Sequence, residues 1–205
     1  MQEITQRIIE QAGTLFLKYG IKSVTMDDIS AELSISKKTI YQYFKDKNEI
    51  VSKVAEIHLQ QEKDRMEEIR SKASDAIEQL YIYSSCLREM LEGMNPAVLY
   101  DLRKYYKTAW NIYLDFKQKV FYHAIADILK QGIKEGYFRK DMDIEVLSIL
   151  RLEEFQMTTD DSLFPMERFD LKQVQIQLFM HFVYGIVTEK GYHKLNQYFE
   201  NNKIS

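Results

Sequence analysis

Apolar residues near the amino terminus recur at intervals of three and four, which is the spacing of one face of a helix. The set comprises Ile8, Ile9, Ala12, Leu15 and Phe16. The run ends at Tyr19 and Gly20, and glycine is typical of the position that follows a helix C-terminus. The pattern therefore predicts a first amphipathic helix that ends at residues 19–20.

Start signals for three further helices follow this run. Thr25 and Asp28 are three residues apart, as in a capping box, where each side chain accepts a hydrogen bond from the other residue's backbone N–H. Asp46 and Glu49 repeat the same spacing. Ser36 is suited to cap a short helix between them. The segment therefore predicts three short helices and the start of a fourth.

The third predicted helix separates apolar from polar side chains. At about 100° per residue, Ile40 and Phe44 share one face and point inward. The apolar side chains expected to meet them are Ile29, Leu33 and Ile35. The opposite face carries Lys38, Thr39, Tyr41 and Gln42, and its flanks carry Lys37 and Tyr43.

This outward face has chemistry suited to the major groove of DNA. Residues 34–47 contain four lysines and one aspartate, a local charge of +3 in a chain whose net charge is −3. Lysine supplies salt-dependent attraction to phosphates. Gln42 can pair with adenine, and Tyr41 or the Thr39 methyl can contact a thymine methyl. Because a lysine pair on a short helix is usually only a solvated surface, the prediction depends on its combination with the caps, the turn and the apolar inner face.

The same segment resembles the DNA-binding domain of the tetracycline-repressor (TetR) family of bacterial regulators. Three motifs carry the resemblance: Leu-Phe-x-x-x-Gly at 15–20, Thr-x-x-Asp-Ile at 25–29 and Ser-x-x-Thr-x-Tyr-x-Tyr-Phe-x-x-Lys at 36–47. The resemblance implies that bases or the nearby backbone are met by Lys37, Lys38, Thr39, Tyr41 and Gln42. It also implies that phosphates are gripped by Thr25, Tyr43 and Lys47.

Two residues depart from the family pattern. Ser34 stands where the family usually has glycine, so we expect a serine at positive φ in the turn, at a cost of about 1–2 kcal/mol. Asp27 stands where some relatives place an arginine that contacts a base. Because an aspartate repels phosphates unless it is neutralised, Asp27 is left out of the predicted DNA contacts.

Composition favours an all-α fold, since only seven glycines and two prolines interrupt 205 residues and strand-like alternation is missing. We predict an N-terminal three-helix DNA-binding domain with a helix-turn-helix at 1–47 and a helical effector-binding and dimerisation domain at 48–205. Within the second domain, helices are expected at about 48–70, 74–91 and 96–104, over a long segment that ends at 136, and at 144–157 and 171–189. A loop is expected at 158–169 and a short helix after 191.

Other functional classes find little support. The single cysteine, Cys86, excludes an intramolecular disulfide and a cysteine-based zinc site. The four histidines lack metal-ligand spacing, and neither a glycine-rich phosphate loop nor a nucleophile elbow occurs. We therefore expect no enzyme, no metal and no cofactor. No signal peptide opens the chain, and the longest uncharged run, 173–188, is too short for a bilayer, so a cytoplasmic protein without a membrane partner is expected.

The last predicted major helix is apolar around most of its circumference, and such a helix must be covered from two sides. One side can pack within its own subunit, and the other is expected to meet a second subunit in a two-fold homodimer. The predicted interface residues are Ile144, Leu147, Leu152, Leu178, Phe182 and Ile186. The alternative is a helix central to a monomer core, but the TetR family pairs through this region.

The middle helices are rich in aromatic side chains, and the resemblance implies that a small apolar or aromatic effector binds among them. The predicted pocket residues are His58, Tyr81, Arg103, Tyr106, Trp110, Tyr113, Tyr122 and Phe155. Ordinary core packing is the alternative for each of them.

The sequence therefore predicts a ligand-responsive transcriptional regulator. We expect a repressor that an effector releases from a palindromic, double-stranded DNA operator. The alternative is a DNA-bound adaptor whose helical body binds a protein partner instead of a small molecule.

Overall fold

The computed structural model describes residues 2–202, with side chains from residue 3 to residue 200. This part of the chain forms eleven α-helices, one π-helical turn and no β-strand, which confirms the prediction of an all-α fold. The helices are α1 (Gln2–Tyr19), α2 (Met26–Glu32), α3 (Lys37–Tyr41), α4 (Lys47–Lys72), α5 (Ala76–Gly93), α6 (Ala97–Tyr105), α7 (Lys107–Phe116), α8 (Tyr122–Glu135), α9 (Ile144–Thr158), α10 (Leu171–Ile186) and α11 (Glu189–Asn202). The π-helical turn, Lys117–Phe121, lies between α7 and α8.

The chain divides into two compact units. The N-terminal unit comprises Met1–Glu62 and Gly93–Phe116, and the C-terminal unit comprises Lys63–Glu92 and Lys117–Ser205. The N-terminal unit thus contains α6 and α7 and the first part of α4 in addition to α1–α3. The expected domain boundary after residue 47 falls inside this unit.

The caps expected in the N-terminal unit are present. The hydroxyl of Thr25 accepts a hydrogen bond from the Asp28 N–H at 3.2 Å, and the Asp28 carboxylate accepts one from the Thr25 N–H at 2.7 Å. The Ser36 hydroxyl accepts from the Thr39 N–H at 3.0 Å and thereby starts α3. These caps satisfy N–H groups that the first turns of α2 and α3 leave without helical partners.

The C-terminus of α1 and the N-terminus of α4 are also determined by nearby residues. Gly20 has a φ of +83°, the left-handed conformation that favours glycine after a helix. Asp46 accepts from the Glu49 N–H at 3.0 Å, as expected for an N-cap. The Glu49 carboxylate, however, accepts from the Lys45 N–H at 2.7 Å, one residue before the expected Asp46.

The C-terminal unit is built around one apolar core. Its buried members come from α5, α8, α10 and α11 and from the connection after α8: Ala76, Ile77, Leu80, Ile125, Ile128, Leu129, Phe138, Phe179, Phe182, Val183, Ile186 and Leu195. A Cβ atom at Gly132 would lie 2.0 Å from the Phe138 ring, so only glycine permits this ring to pack on α8.

Helix α10 ends earlier than the sequence pattern predicts. Val187 adopts an extended backbone, with φ −74° and ψ 147°, and forms an isolated antiparallel bridge with Phe138. The helix expected at 171–189 therefore stops at Ile186. A further helix, α11, begins at Glu189 and is longer than the short tail helix expected after residue 191.

Candidate DNA-binding site and association surface

The short helix α3 exposes the polar face that its sequence predicts. Tyr41 is 49% exposed, and Lys37, Lys38 and Gln42 are exposed as well. The remaining predicted contacts on this helix and after it, Thr39 and Tyr43, are half-buried. On the opposite face, Ile40 and Phe44 are buried. The structure brings these side chains to one surface, and their contact with DNA stays a prediction.

Backbone hydrogen bonds fix the turn between α2 and α3. The Ser34 N–H donates to the Ala31 carbonyl at 3.1 Å, and the Ile35 N–H donates to the Ser30 carbonyl at 3.0 Å. Ser34 has a φ of +54°. This left-handed conformation was expected, because the family usually has glycine at this position. The turn sets the angle at which α3 leaves α2, and this angle determines how α3 can enter a groove.

Asp27 is neutralised by a residue of α3. The Lys37 Nζ lies 2.8 Å from the Asp27 Oδ2, and both side chains are largely exposed. The hydrogen bond to Asp27 raises the pKa of Lys37. The pair removes the repulsion that an isolated aspartate would exert on phosphates, but it also occupies one of the lysines predicted to contact DNA.

The half-buried Lys47 directs its ammonium group at backbone carbonyls, and its predicted contact with a phosphate stays a prediction. Its Nζ donates to the carbonyls of Ile21, at 2.5 Å, and of Val24. It also lies 5.7 Å from the centre of the Phe16 ring and 5.6 Å from that of Tyr106. Burial lowers the pKa of this ammonium group. Lys47 therefore ties the α1–α2 connection to the start of α4, because an otherwise unpaired buried charge would be costly.

The hydroxyl of Thr25, also predicted to contact phosphate, is already in use. Besides accepting from the Asp28 N–H, it lies 2.7 Å from the Asp28 carboxylate, to which it donates. These hydrogen bonds from Thr25 lower the pKa of Asp28. A phosphate contact by this hydroxyl would have to replace a contact within the capping box.

Helix α6 contacts the first helices through two residues that the sequence analysis did not select. Asp101 is buried, and its Oδ2 accepts from the Lys22 N–H at 2.7 Å. The Asn95 N–H, just before α6, donates to the Leu17 carbonyl at 2.6 Å. Asp101 could have been identified from the sequence, because it lies between the apolar residues Val98 and Leu102 on one helix face. These bonds tie α6 to the end of α1 and the segment before α2.

The predicted effector residues are distributed over both units. His58, Arg103, Tyr106, Trp110 and Tyr113 belong to the N-terminal unit, and Tyr81, Tyr122 and Phe155 belong to the C-terminal unit. Within the first group, the rings of Trp110 and Tyr113 are 5.0 Å apart. Arg103 is exposed on α6, so it does not provide the buried polar anchor that was predicted. The Tyr81 ring lies 6.1 Å from that of Tyr198 and 6.0 Å from that of Phe199, as in ordinary core packing.

Most of the predicted interface residues belong to the core of their own unit or pack against it, and their contact with a second subunit stays a prediction. Phe182 and Ile186 belong to the core, and Ile144, Leu147 and Leu152 pack against it. Leu178 is half-buried. Phe182 and Ile186 are buried within their own unit and have little surface left for a second subunit, whereas the other four residues are half-buried.

Helix α9 instead carries an outward apolar stripe, which we call the α9 stripe. It consists of Val146, Ile149, Leu150 and Met157, at the spacing of one helix face and 58, 46, 42 and 37% exposed, respectively. On α10 the exposed side chains include Tyr184 and the polar His181. Contiguous exposed apolar side chains of this kind mark association surfaces in proteins.

The described residues contain neither a metal-binding cluster nor a membrane-spanning helix. No group of three or more His, Cys, Asp or Glu side chains is placed to bind a metal ion. No helix in this part of the chain combines the length and apolarity required to cross a membrane.

Comparison with known proteins agrees with the geometry of α1–α4. The family model of bacterial regulatory proteins, tetR family, matches residues 8–54. The transcriptional repressor KstR2 of Mycobacterium tuberculosis is 25% identical over 143 residues, which is 68% of this chain and 72% of that protein. An HTH-type transcriptional regulator of Staphylococcus aureus is 27% identical over 161 residues, 72% of this chain and 87% of that protein.

The fold of the whole chain is also similar to that of solved regulators. The crystal structure of a transcriptional regulator from Saccharomonospora viridis in complex with choline superimposes with a TM-score of 0.75 at 22% identity, covering 92% of this chain and all of that one. The motifs of α1–α3, the matching family model and the shared architecture agree with one another. Residues 8–54 therefore carry the DNA-binding domain of the TetR family of bacterial regulatory proteins, and the chain as a whole is similar in fold to solved regulators.

Proposed function

We propose that the protein is a transcriptional repressor that binds a palindromic operator as a homodimer and leaves it when a small molecule binds. The observation that carries this proposal is the outward face of α3, which a capped and hydrogen-bonded turn holds on the protein surface. KstR2 is a repressor by name, and the Saccharomonospora viridis regulator contains choline, which supports repression and a small-molecule effector. The proposal assigns the protein to the cytoplasm, where bacterial DNA lies, and gives it no catalytic step.

Residues 1–47 are proposed to contact DNA, and the rest of the chain to bind the effector and a second subunit. Lys38, Thr39, Tyr41 and Gln42 are proposed to meet bases or the nearby backbone, with Tyr43 and Lys37 at the flanking phosphates. Two copies of α3 would enter major grooves about 34–36 Å apart, one turn of B-DNA. The α9 stripe is the proposed surface for the second copy, because it is apolar and exposed.

The link between effector and operator is proposed to be α6. Its Asp101 and the preceding Asn95 are bonded to backbone groups at residues 22 and 17, so a shift of α6 would move the start of α2. An effector changes operator affinity only by its differential affinity for the two shapes, typically about 1–3 kcal/mol of coupling.

The first experiment is to select bound fragments from genomic DNA with the purified protein and to measure operator affinity. The double variant Tyr41→Ala/Gln42→Ala should bind the recovered operator at least about thirtyfold more weakly, since it loses two base contacts worth about 1–3 kcal/mol each. Tyr192→Ala, which removes a similarly exposed tyrosine from α11, is the matched control and should bind like the wild type. Unchanged affinity of a folded, dimeric double variant would refute the role of α3.

A further inference from the structure

The inner face of α9 is polar, in contrast to its outward stripe. Ser148, Arg151, Glu154 and Thr158 recur at intervals of three and four, and all four are buried. An amphipathic helix ordinarily turns its apolar side inward. On α9 apolar side chains lie on both sides, since Ile144 and Leu147 pack against the core, but the most deeply buried side chains are charged or carry hydroxyls.

Two of these charges neutralise each other. Arg151 Nη1 lies 2.8 Å from Glu154 Oε2, and the Arg151 guanidinium lies 5.3 Å from the centre of the Phe179 ring and 5.7 Å from that of Phe182. Burial lowers the pKa of Arg151 and raises that of Glu154, and the contact between the two opposes both shifts. Arg151 is therefore the ion-pair partner of Glu154, and His181 also acts on the Glu154 carboxylate.

A second buried guanidinium lies on α5. Arg88 is only 7% exposed, and it donates to the hydroxyls of Ser84, at 2.9 Å, and Ser85, at 2.7 Å. The Ser84 hydroxyl in turn contacts the side-chain amide of Gln175 on α10, at 3.4–3.5 Å. Among the described side chains, no carboxylate lies within 4 Å of the Arg88 guanidinium.

The buried charges of α5, α9 and α10 therefore do not balance. Of the buried side chains on these helices, Arg88 and Arg151 are positive and Glu154 is negative, which leaves an excess of one buried positive charge. Burial lowers the pKa of Arg88, and the charge of Arg151 adds to this shift. The Tyr81 hydroxyl and the exposed Glu89 oppose it. Arginine nevertheless stays protonated in proteins. A buried charge without an ion-pair partner is unfavourable by several kcal/mol, so a bound anion would stabilise Arg88.

One buried hydroxyl on α9 also has no partner. Ser148 is fully buried, and its Oγ makes no hydrogen bond within the described part of the chain. Such a group costs about 1–3 kcal/mol unless something pairs with it. Ser148 lies one helical turn before Arg151, on the same inner face of α9.

We propose that the buried polar side chains of α5 and α9 bind the carboxylate of a monoanionic effector. Arg88 is the anchoring residue, and the Ser148 hydroxyl is a second donor. The inference rests on the proposed function, since it names the chemical class of the effector. The planar fork of a guanidinium matches a carboxylate, and one negative charge balances the excess of one positive charge. A dianionic phosphate would leave an uncompensated negative charge in its place.

The remainder of the effector is expected to be apolar. Leu80 lies one turn from Ser84 on α5, and Phe179 lies one turn from Gln175 on α10. Both Leu80 and Phe179 belong to the apolar core of this unit. A carboxylate at Arg88 would therefore continue into aliphatic and aromatic surroundings, as suits a fatty acid or an arylalkanoic acid.

The test compares four probes with an eight-carbon chain in thermal denaturation of the full-length protein: octanoate, 1-octanol, octyltrimethylammonium and octyl phosphate. Octanoate should raise the melting temperature with increasing concentration, because it binds only the folded state, and it should do so more strongly than the three other probes. Equal stabilisation by 1-octanol, or stronger stabilisation by octyltrimethylammonium or octyl phosphate, would overturn the proposal.

The decisive variant is Arg88→Met, which keeps the aliphatic stem and removes the charge. We expect octanoate to bind it about tenfold to a hundredfold more weakly, the range for a hydrogen bond to a charged group. Without ligand, its stability should equal or exceed that of the wild type, whereas an arginine with a purely structural role would give a loss. Arg70→Met, which removes an exposed arginine of the same unit, is the control and should bind octanoate normally. Octanoate affinity that is unchanged in Arg88→Met would refute the assignment.

Arg88→Lys keeps the charge but lacks the planar fork of the guanidinium. If Arg88→Met does not fold, a several-fold loss of octanoate affinity in Arg88→Lys provides the same test.

Release of the operator distinguishes this proposal from the proposed function on which it rests. If a neutral compound releases the operator and octanoate does not bind, the carboxylate site is refuted and the repressor remains. If octanoate binds through Arg88 but no compound releases the operator, the site stands and the effector-controlled repressor is refuted.

Discussion

Helices α3 and α9 both present one face to solvent and bury the other, but they distribute their side chains in opposite ways. On α3 the outward face is basic and aromatic, and the inward Ile40 is fully buried. On α9 the outward face is apolar, with Ile149 and Leu150, and the inward face has Arg151 and Glu154. The first arrangement is that of a helix which is complete within one chain. The second leaves apolar surface exposed and charge buried.

This difference has an energetic consequence. Burial of apolar side chains such as Ile40 stabilises the N-terminal helices without any partner, at roughly 25 cal/mol per Å². The polar group buried nearby, Lys47, is satisfied by backbone carbonyls of the same unit. Around α9, by contrast, Arg88 has no carboxylate partner and the α9 stripe has no cover within the described chain. A second subunit and an anionic ligand would supply what α9 lacks, which makes this region suited to respond to binding.

The comparison predicts its largest effect for the buried ion pair of α9. Glu154→Leu leaves Arg151 buried without its carboxylate, so we expect a loss of about 3–5 kcal/mol in the free energy of unfolding, measured by urea denaturation. The double variant Arg151→Met/Glu154→Leu should recover most of this loss, because apolar side chains of similar volume can replace a buried pair. A double variant as unstable as the single one would show that the polarity of this layer is required for folding.

The α9 stripe is predicted to determine association. Ile149→Asp/Leu150→Asp should weaken the homodimer at least about a hundredfold, since full burial of each side chain is worth about 1.5–3 kcal/mol. Sedimentation velocity across a concentration series measures this change. Leu163→Asp introduces the same charge at an equally exposed apolar residue outside the stripe and should leave the dimer intact. A variant pair that dimerises equally well would place the interface elsewhere.

The smallest effect is expected at the outward face of α3, where the ion pair between Asp27 and Lys37 can be broken. Asp27→Asn should increase operator affinity about two- to threefold at low salt, because surface pairs are worth at most about 1 kcal/mol. It should also steepen the plot of log affinity against log salt by about one unit, as one more lysine becomes available to phosphate. Glu56→Gln, which breaks the comparable surface pair with Lys53, is the control and should change neither quantity. A slope that stays the same would show that Lys37 does not contact DNA.

The N-terminal helices could be predicted from sequence almost completely, because their determinants are local. Thr25 with Asp28, Ser36 and Gly20 each act within four residues, and the structure has each cap where the spacing predicts it. The positive φ of Ser34 was expected from the resemblance, because the family usually has glycine at this position. The orientation of Lys47 did not follow, because the carbonyls that bind it belong to residues more than twenty positions earlier.

For α9 and α10 the sequence determined that two helices exist and that they carry both apolar and polar stripes. Periodicity does not show which stripe faces inward, so the exposed apolar stripe of α9 could not be identified from the sequence. Only the tertiary structure decided the matter, because α5, α8 and α11 converge on Phe182 and Ile186 and leave the Ile149 side of α9 uncovered. Caps and turns are fixed by atoms a few residues apart, whereas the side of a helix that is buried depends on which other helices reach it.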